Sequence, residues 1–463
     1  MLKEVLNHIT EFFSEFFKKE EVWMLLLFVG LGVWVIYAFF ETIWEILRNF
    51  FLYAWPLLLF FVLLGIFESL WLFVRQERFK EKDEFVLLEL KIPREVKKSP
   101  QGMEEVLAAM HSLRNSPGTF KEKYIDGEVP RWFSLELVSI GGVVRFFVRV
   151  NTKQRRVVEA AFYSYYPDIV VEEVEDYIGM FPKSGDEMKE RRMKMWGTEL
   201  VLAKDAAYPI KTYDKFENIA EEKQFDPIST FLEILGRVPS GEVVGIQILI
   251  APAPGDWQEE FEELLNELKT PKTISVEEDE GSKELTVARS PGHTDVLKAV
   301  EENFSKPAFQ TLIRLMYIAP EDSFAKGPPA HGALGAFSQF TALDLNSFRP
   351  NKLMTTKADV WSKPYVAPKV RLSYREQRLL WNYRRREVPP ETWMGKFMTS
   401  FLYHWNFGST RFLMTTKGIA TLFHPPTAVV LTVPHVKRTE SRRASPPAGL
   451  AIFGEEEELG RFN

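Results

Sequence analysis

The sequence contains no cysteine. Disulfides, thiolate zinc sites, iron–sulfur clusters and a cysteine nucleophile are thereby excluded together. Also missing is a glycine-rich loop ending in Gly-Lys-Ser or Gly-Lys-Thr, whose backbone N–H groups and lysine surround the phosphates of a nucleotide. The string Gly327-Pro328-Pro329-Ala330-His331-Gly332 has no lysine and hydroxyl after it, and its prolines remove N–H donors, so it reads as a loop and a helix start. Lys183-Ser184-Gly185 lacks the spacing of such a loop. No Gly-x-Ser-x-Gly elbow occurs, and the seven histidines include no pair at the i, i+4 spacing of a helical metal site. His424, in Phe423-His424-Pro425-Pro426, reads as a packed imidazole or a capped helix end. No catalytic residue, metal or cofactor is therefore expected. Positive charge is not in excess either: the net charge of -6 confines any nucleic-acid contact to local patches.

The sequence does have the composition of a folded protein. Its 463 residues are 26% charged and 46% apolar, enough for two or three domains and a sizeable core. Two apolar runs stand near the start, Val22 to Phe40 and Asn49 to Phe67, each close to the length of about 20 helical residues that a bilayer core of about 30 Å demands. They predict a transmembrane hairpin over residues 22–74, its connection at Glu41 to Arg48. Lys3, Lys18 and Lys19 precede the first run, and Arg75, Arg78, Lys80 and Lys82 follow the second. The positive-inside rule then places both flanks in the cytoplasm. Leu2, Val5, Leu6, Ile9, Phe12, Phe13, Phe16 and Phe17 share one helical face, which predicts an amphipathic helix over residues 1–21, either on the membrane surface or in a protein groove.

From Glu84 onward the pattern is that of an α+β protein. A strand at 85–92, a helix from Ser99-Pro100 with Met103, Val106, Leu107, Met110 and Leu113 on one face, and a hairpin turning at Gly141-Gly142 are followed by a helix through Val157–Tyr165 and a strand at 169–174. The order βαββαβ is that of a ferredoxin-like unit, assigned to residues 84–178. A looser second copy is expected over 198–437, with strands at 199–203, 243–251, 309–318 and 428–433 and helices at 227–235 and 331–341. An insertion at about 252–306 interrupts it, with a mobile acidic stretch from Ser275 to Glu284; residues 438–463 are expected to be a flexible tail.

Two basic clusters interrupt the acidic whole. Arg371, Arg375, Arg378, Arg384, Arg385 and Arg386 share a helical stretch with Leu379, Leu380, Trp381 and Tyr383, and Lys189, Arg191, Arg192 and Lys194 precede Trp196. Arginines interleaved with aromatics suit a docking face for an acidic protein, anionic lipid or nucleic acid, and equally a solvated helix face with internal ion pairs. Arg375, Arg378, Trp381, Arg384, Arg385 and Arg386 are the candidate partner-binding residues.

Several strings carry a resemblance. Leu88-Glu89-Leu90-Lys91-Ile92-Pro93-Arg94-Glu95, Trp132-Phe133-Ser134-Leu135-Glu136-Leu137-Val138-Ser139-Ile140-Gly141-Gly142 and Tyr163-Ser164-Tyr165-Tyr166-Pro167 resemble the pre-ATPase region of membrane-anchored, conjugation-type proteins found mainly in candidate-phyla-radiation bacteria. So do Ala420-Thr421-Leu422-Phe423-His424-Pro425-Pro426 and Glu440-Ser441-Arg442-Arg443-Ala444-Ser445-Pro446-Pro447. The resemblance implies a component of a type IV secretion-like machine in the bacterial inner membrane. Such relatives continue into a P-loop ATPase whereas this sequence ends at Asn463, so the implied motor is a separate polypeptide, or the chain is a truncated or specialised copy. The expected partners are the lipid bilayer, that ATPase and further copies of the chain, with direct nucleic-acid contact left open. The alternative is a self-assembling membrane scaffold without motor or DNA.

Overall fold

The computed structural model describes residues 20–93, 99–216, 226–270, 273–278, 281–286, 290–324, 328–357, 367–400, 408–427 and 438–439. The amphipathic helix up to residue 19, the strand at 428–433 and the tail beyond 439 lie outside the described residues. The chain divides into two compact units, Met1–Leu70 and Trp71–Asn463.

In the first unit, α1 (Glu20–Ala38) is followed after the single residue Phe39 by α2 (Phe40–Glu81), which runs on into the second unit. The short connection expected at Glu41 to Arg48 is thus part of α2. The stretch holds no glycine or proline to break the helix, and an i, i+3 pair, Glu45–Arg48, supports it. Among the described residues one helix, Trp44–Glu81, is long and apolar enough to cross a membrane, and none of its apolar window is buried. Pro56 sits inside it, a residue tolerated in membrane helices.

In the second unit, β1 (Phe85–Pro93), α3 (Gln101–His111), β2 (Phe133–Ile140), β3 (Val143–Asn151), α4 (Arg155–Tyr165) and β4 (Val170–Val174) follow in the order the periodicity predicts. Gly141 and Gly142 have φ of 56° and 87°, the positive values that a two-residue hairpin turn requires. Next come α5 (Gly185–Glu190), β5 (Met193–Leu202), α6 (Ser229–Gly236), β6 (Val243–Pro252), α7 (Glu262–Lys269), β7 (Thr273–Glu278), β8 (Gly281–Thr286), α8 (Pro291–Phe304), β9 (Ala308–Pro320), α9 (Pro328–Ala336) and β10 (Phe348–Pro350). Within the acidic stretch from Ser275 to Glu284, β7 and β8 pair in antiparallel fashion, Val276 opposite Lys283 and Glu278 opposite Gly281. The described chain closes with α10 (Pro368–Arg385), α11 (Trp393–Ser400), β11 (Phe412–Thr415), α12 (Thr416–Leu422) and β12 (Arg438–Thr439).

All strands except β7 and β8 belong to one ten-stranded sheet. Its backbone is the antiparallel series β10-β5-β9-β6-β2-β3-β1-β4, with β11 added to β9 and β12 parallel to β1. The strands of residues 84–178 and those after Met193, expected in separate domains, therefore share a sheet. They meet at a seam where β2 pairs β6 from Phe133↔Ile250 to Ile140↔Val243. On each side of the seam the order is the same, second strand, third, first, fourth.

The two faces of the sheet bury different things. On one, Leu88, Leu135, Phe146, Ile248 and Ile313 pack against α3, α4, α6, α9 and α12, through Val106, Phe162, Phe231, Ala333 and Ile419. Each fully buried side chain of this kind contributes about 1.5–3 kcal/mol, so this layer is the main core. On the other, Phe147, Met195 and Met316 meet α5 and the far end of α10 through Met188, Leu379, Leu380 and Tyr383. Small residues permit that approach: Gly197 lies beneath Leu379 and Gly245 beneath Tyr383.

Candidate functional site

Beneath α10 a row of mostly polar side chains crosses the sheet. Strand pairing sets Glu199 opposite Arg314, Arg314 opposite Gln247, Gln247 opposite Glu136, Glu136 opposite Phe147 and Phe147 opposite Glu89. Alternation along each strand sends all of them to the α10 face. Arg314 Nε donates to Glu199 Oε1 at 2.9 Å with both side chains fully buried, and Arg314 Nη1 donates to the carbonyl of Asn382 in α10. Gln247 Nε2 donates to Glu136 Oε1 at 3.1 Å and to the carbonyl of Tyr383.

Glu136 is the centre of the row. Its carboxylate accepts from Ser134, Gln247, Tyr177 and, through two nitrogens, Arg386. Burial alone would raise its pKa, but the Arg386 guanidinium and these donors outweigh burial and hold the carboxyl at about 2. Arg386 also pairs with Asp176, so its charge is shared between two carboxylates. The Tyr177 hydroxyl, 2.9 Å from that of Tyr383, is pushed well above its ordinary pKa by burial and by Glu136.

The candidate basic residues thus separate by position. Arg386 is not on an exposed docking face: it is buried, at φ 51° just beyond the end of α10, and clamps the helix to the sheet. Arg384 turns inward and donates to the carbonyls of Ile178, Phe181 and Pro182, which burial accompanies with a lowered pKa. Arg375 donates to the carbonyls of Thr355 and Lys357. Burial lowers the pKa of Arg378 to about 10. Trp381, 46% exposed, and Arg385 face solvent, with the guanidinium 4.9 Å from the ring centroid. In the second cluster, Lys189, Arg191, Arg192 and Lys194 pair with Asp186, Glu187, Asp322 and Glu321, while Trp196 is buried beside His331.

Next to this clamp opens a cleft of about 290 Å³, bordered by the end of α2 and by residues 385–391. Most of its charges are already matched. Arg131 pairs with Asp83 at 3.0 Å, Lys80 with Glu77 and Glu387, and Arg411 with Glu391. Arg149 differs. It lies over the Phe85 ring at 3.9 Å, and among the described residues no carboxylate is within ion-pair distance of it. Burial, then the like charge of Arg386, lowers its pKa to about 10. The cleft can therefore receive an anionic group of modest size at Arg149. The sequence offered no sign of Arg149, because an arginine in an alternating strand reads as one on a solvated face.

His424 is a packed imidazole. Its Nδ1 faces the carbonyl of Ala420 at 2.7 Å and its Nε2 faces Asp226 Oδ1 at 2.8 Å, so the ring joins the end of α12 to the start of α6. Among the described residues no group of three or more His, Asp or Glu side chains is placed to hold a metal ion.

The fold and cleft define an α+β protein with one large antiparallel sheet and a helix long and apolar enough to cross a membrane. The chain belongs to the family described as Domain of unknown function (DUF8128), whose model matches residues 74–343, more than half its length. A comparison with curated proteins finds no match.

Proposed function

We propose that this chain is a non-catalytic component of the bacterial inner membrane, which anchors and positions a separate cytoplasmic P-loop ATPase of a type IV secretion-like or conjugation-like apparatus. The observation that carries the anchoring role is the way the polar end of α2 is built into the folded unit. Lys80 pairs with Glu387, Trp71 Nε1 donates to the carbonyl of Tyr124 at 2.7 Å, and Arg75 donates to the carbonyl of Ile125. A helix fixed at three places does not act as a loose tether. In this reading α1 and α2 are two spans, both termini are cytoplasmic, and each half of the sheet is a ferredoxin-like unit. The strand order β4-β1-β3-β2 and its counterpart β10-β5-β9-β6 support the last point. Trp381, Arg385 and the Arg149 cleft form the surface offered to an acidic element of the ATPase.

The test is purification of the tagged full chain from native membranes, followed by identification of what stays bound. A P-loop ATPase that is lost on Arg149→Glu or Arg385→Glu substitution is the expected result. Recovery of nothing but further copies of the chain would replace this reading with that of a self-assembling scaffold.

A further inference from the structure

Two segments far apart in sequence flank one turn of α2, and both carry aromatic side chains into solvent. The first is α11. Trp393 and Phe397, one helical turn apart, are 58% and 55% exposed and stack at 5.8 Å, with Met398 exposed beside them. Lys396 is the one charged residue of that helix. Its backbone lies against α2: a Cβ built on Gly395 would be 2.7 Å from Phe73 Cδ2. The second is the helical turn Lys121–Asp126. Phe120, 73% exposed, stacks on Tyr124 at 4.6 Å, and Ile125 is exposed as well. This turn is held to α2 by Trp71 and Arg75, which donate to the carbonyls of Tyr124 and Ile125, and by Gly127 at φ 71°, packed on the Arg75 backbone.

We infer that these segments form an interfacial collar, seated in the headgroup layer of the bilayer that α2 enters. The inference rests on the anchoring role proposed above and adds a membrane-contacting surface to the folded unit itself. Three features select lipid as the occupant. The collar is continuous with the apolar helix through Trp71 and Phe73. The stretch from Phe50 to Leu70 is about 30 Å long as a helix, the thickness of a hydrocarbon core, so Trp71 to Arg75 reach the headgroups. The residues are those of a membrane interface: Trp, Phe and Tyr with Lys121, Lys123 and Lys396 among them, and Lys123 lying over the Tyr124 ring at 5.2 Å. In water, a stacked Trp–Phe pair on a short helix would be an unfavourable exposed patch.

The absence of cysteine supplies the experiment. Single substitutions Phe397→Cys, Phe120→Cys, Leu59→Cys and Leu343→Cys, the last at a position 94% exposed, each accept one NBD label in the full chain. The proteins are placed in nanodiscs of phosphatidylcholine and phosphatidylglycerol containing lipids spin-labelled at the headgroup or deep in the acyl chain. Labels at 397 and 120 are expected to be quenched severalfold more than the label at 343, and more by headgroup than by deep spin labels; the label at 59 should show the reverse depth preference. Met398→Cys replaces either collar variant that does not melt with the parent. Collar labels quenched no more than the one at 343, with 59 still deep, would overturn the collar and leave the anchor intact. An unquenched label at 59 would remove the anchor itself. Collar labels that are shielded without lipid quenching, and more so at higher protein per disc, would show a second copy as the occupant and also overturn the inference.

Discussion

The phenol of Tyr383, reaching down from α10, occupies the space above Gly245 that the Cβ of any other residue would fill. Gly197 stands in the same relation to Leu379, and a Cβ there would also lie 2.6 Å from the carbonyl oxygen of Leu315. Both glycines are in strand interiors, where the residue is otherwise unfavourable. Gly245→Ala is expected to destabilise the fold by about 1–3 kcal/mol through overpacking. Gly255, with nothing within 4 Å of a built Cβ, is the control, and thermal unfolding in detergent reads both.

Breaking the Arg386–Glu136 pair leaves one buried charge without its partner. Arg386→Met should cost about 3–5 kcal/mol, whereas Arg386→Met combined with Glu136→Met should recover much of that loss. Denaturant midpoints of the two single variants and the double variant check this. A loss in the double variant equal to the sum of the two single losses would show that the pair's charges do not interact strongly.

Arg385 lies one residue away and should behave oppositely. As an exposed residue, its reversal to Glu is expected to change stability by no more than about 0.5 kcal/mol. Any effect should be on capture of an acidic partner, and should weaken as salt rises. Reversing the whole cluster at once would confuse the two roles, because Arg384 and Arg386 hold α10 in place.

Acid should unfold the second unit in a defined window. Glu136 and Asp226 both have carboxyls held at about 2, against unfolded values of about 4.3 and 3.9. For Asp226, burial would raise the value, and His424 with the Thr427 and Ile228 N–H groups outweighs it. Folded values below unfolded ones mean that the stabilisation is fully present above about pH 4.3 and is lost as pH falls toward 2. Glu136→Gln should flatten this limb of a stability–pH profile, at the cost of lower stability near neutrality.

Membrane topology gives a further test of the anchor. Reporters fused after Lys82 should be cytoplasmic and one inserted near Trp44 external. An external signal after Lys82 would place the whole sheet on the other side of the membrane.

The core of the first half of the sheet was legible because its strands alternate cleanly and Gly141-Gly142 marks the turn. Helix α3 was legible through Met103, Val106, Leu107 and Met110. The single sheet was not, since the β2–β6 seam joins strands more than a hundred residues apart and no local pattern encodes which edges meet. Nor was the polar row. Glu136, Glu199 and Arg314 sit at alternate positions, where charge normally marks the solvent face, and only the later arrival of α10 buries them. The available signal was Gly197 and Gly245 within otherwise bulky strands, which mark a close approach by another element. The arginines of α10 drew attention by their number, yet a helix whose buried face must meet charged strands needs arginines of its own.

The seam has a consequence for stoichiometry. From it outwards, one half of the row reads Glu136, Phe147, Glu89 and the other Gln247, Arg314, Glu199, at matching positions on matching strands. Antiparallel pairing of like strands at like residues is the pattern that a two-fold axis through the sheet would produce. The symmetry fails where it would matter to a visitor. Arg314 replaces Phe147, and among the described residues the β7–β8 hairpin and α8 belong to one half alone and α10 reaches its clamp at Glu136 without a counterpart. A ligand that reads these differences finds one place per chain, not two, even though the strands beneath repeat.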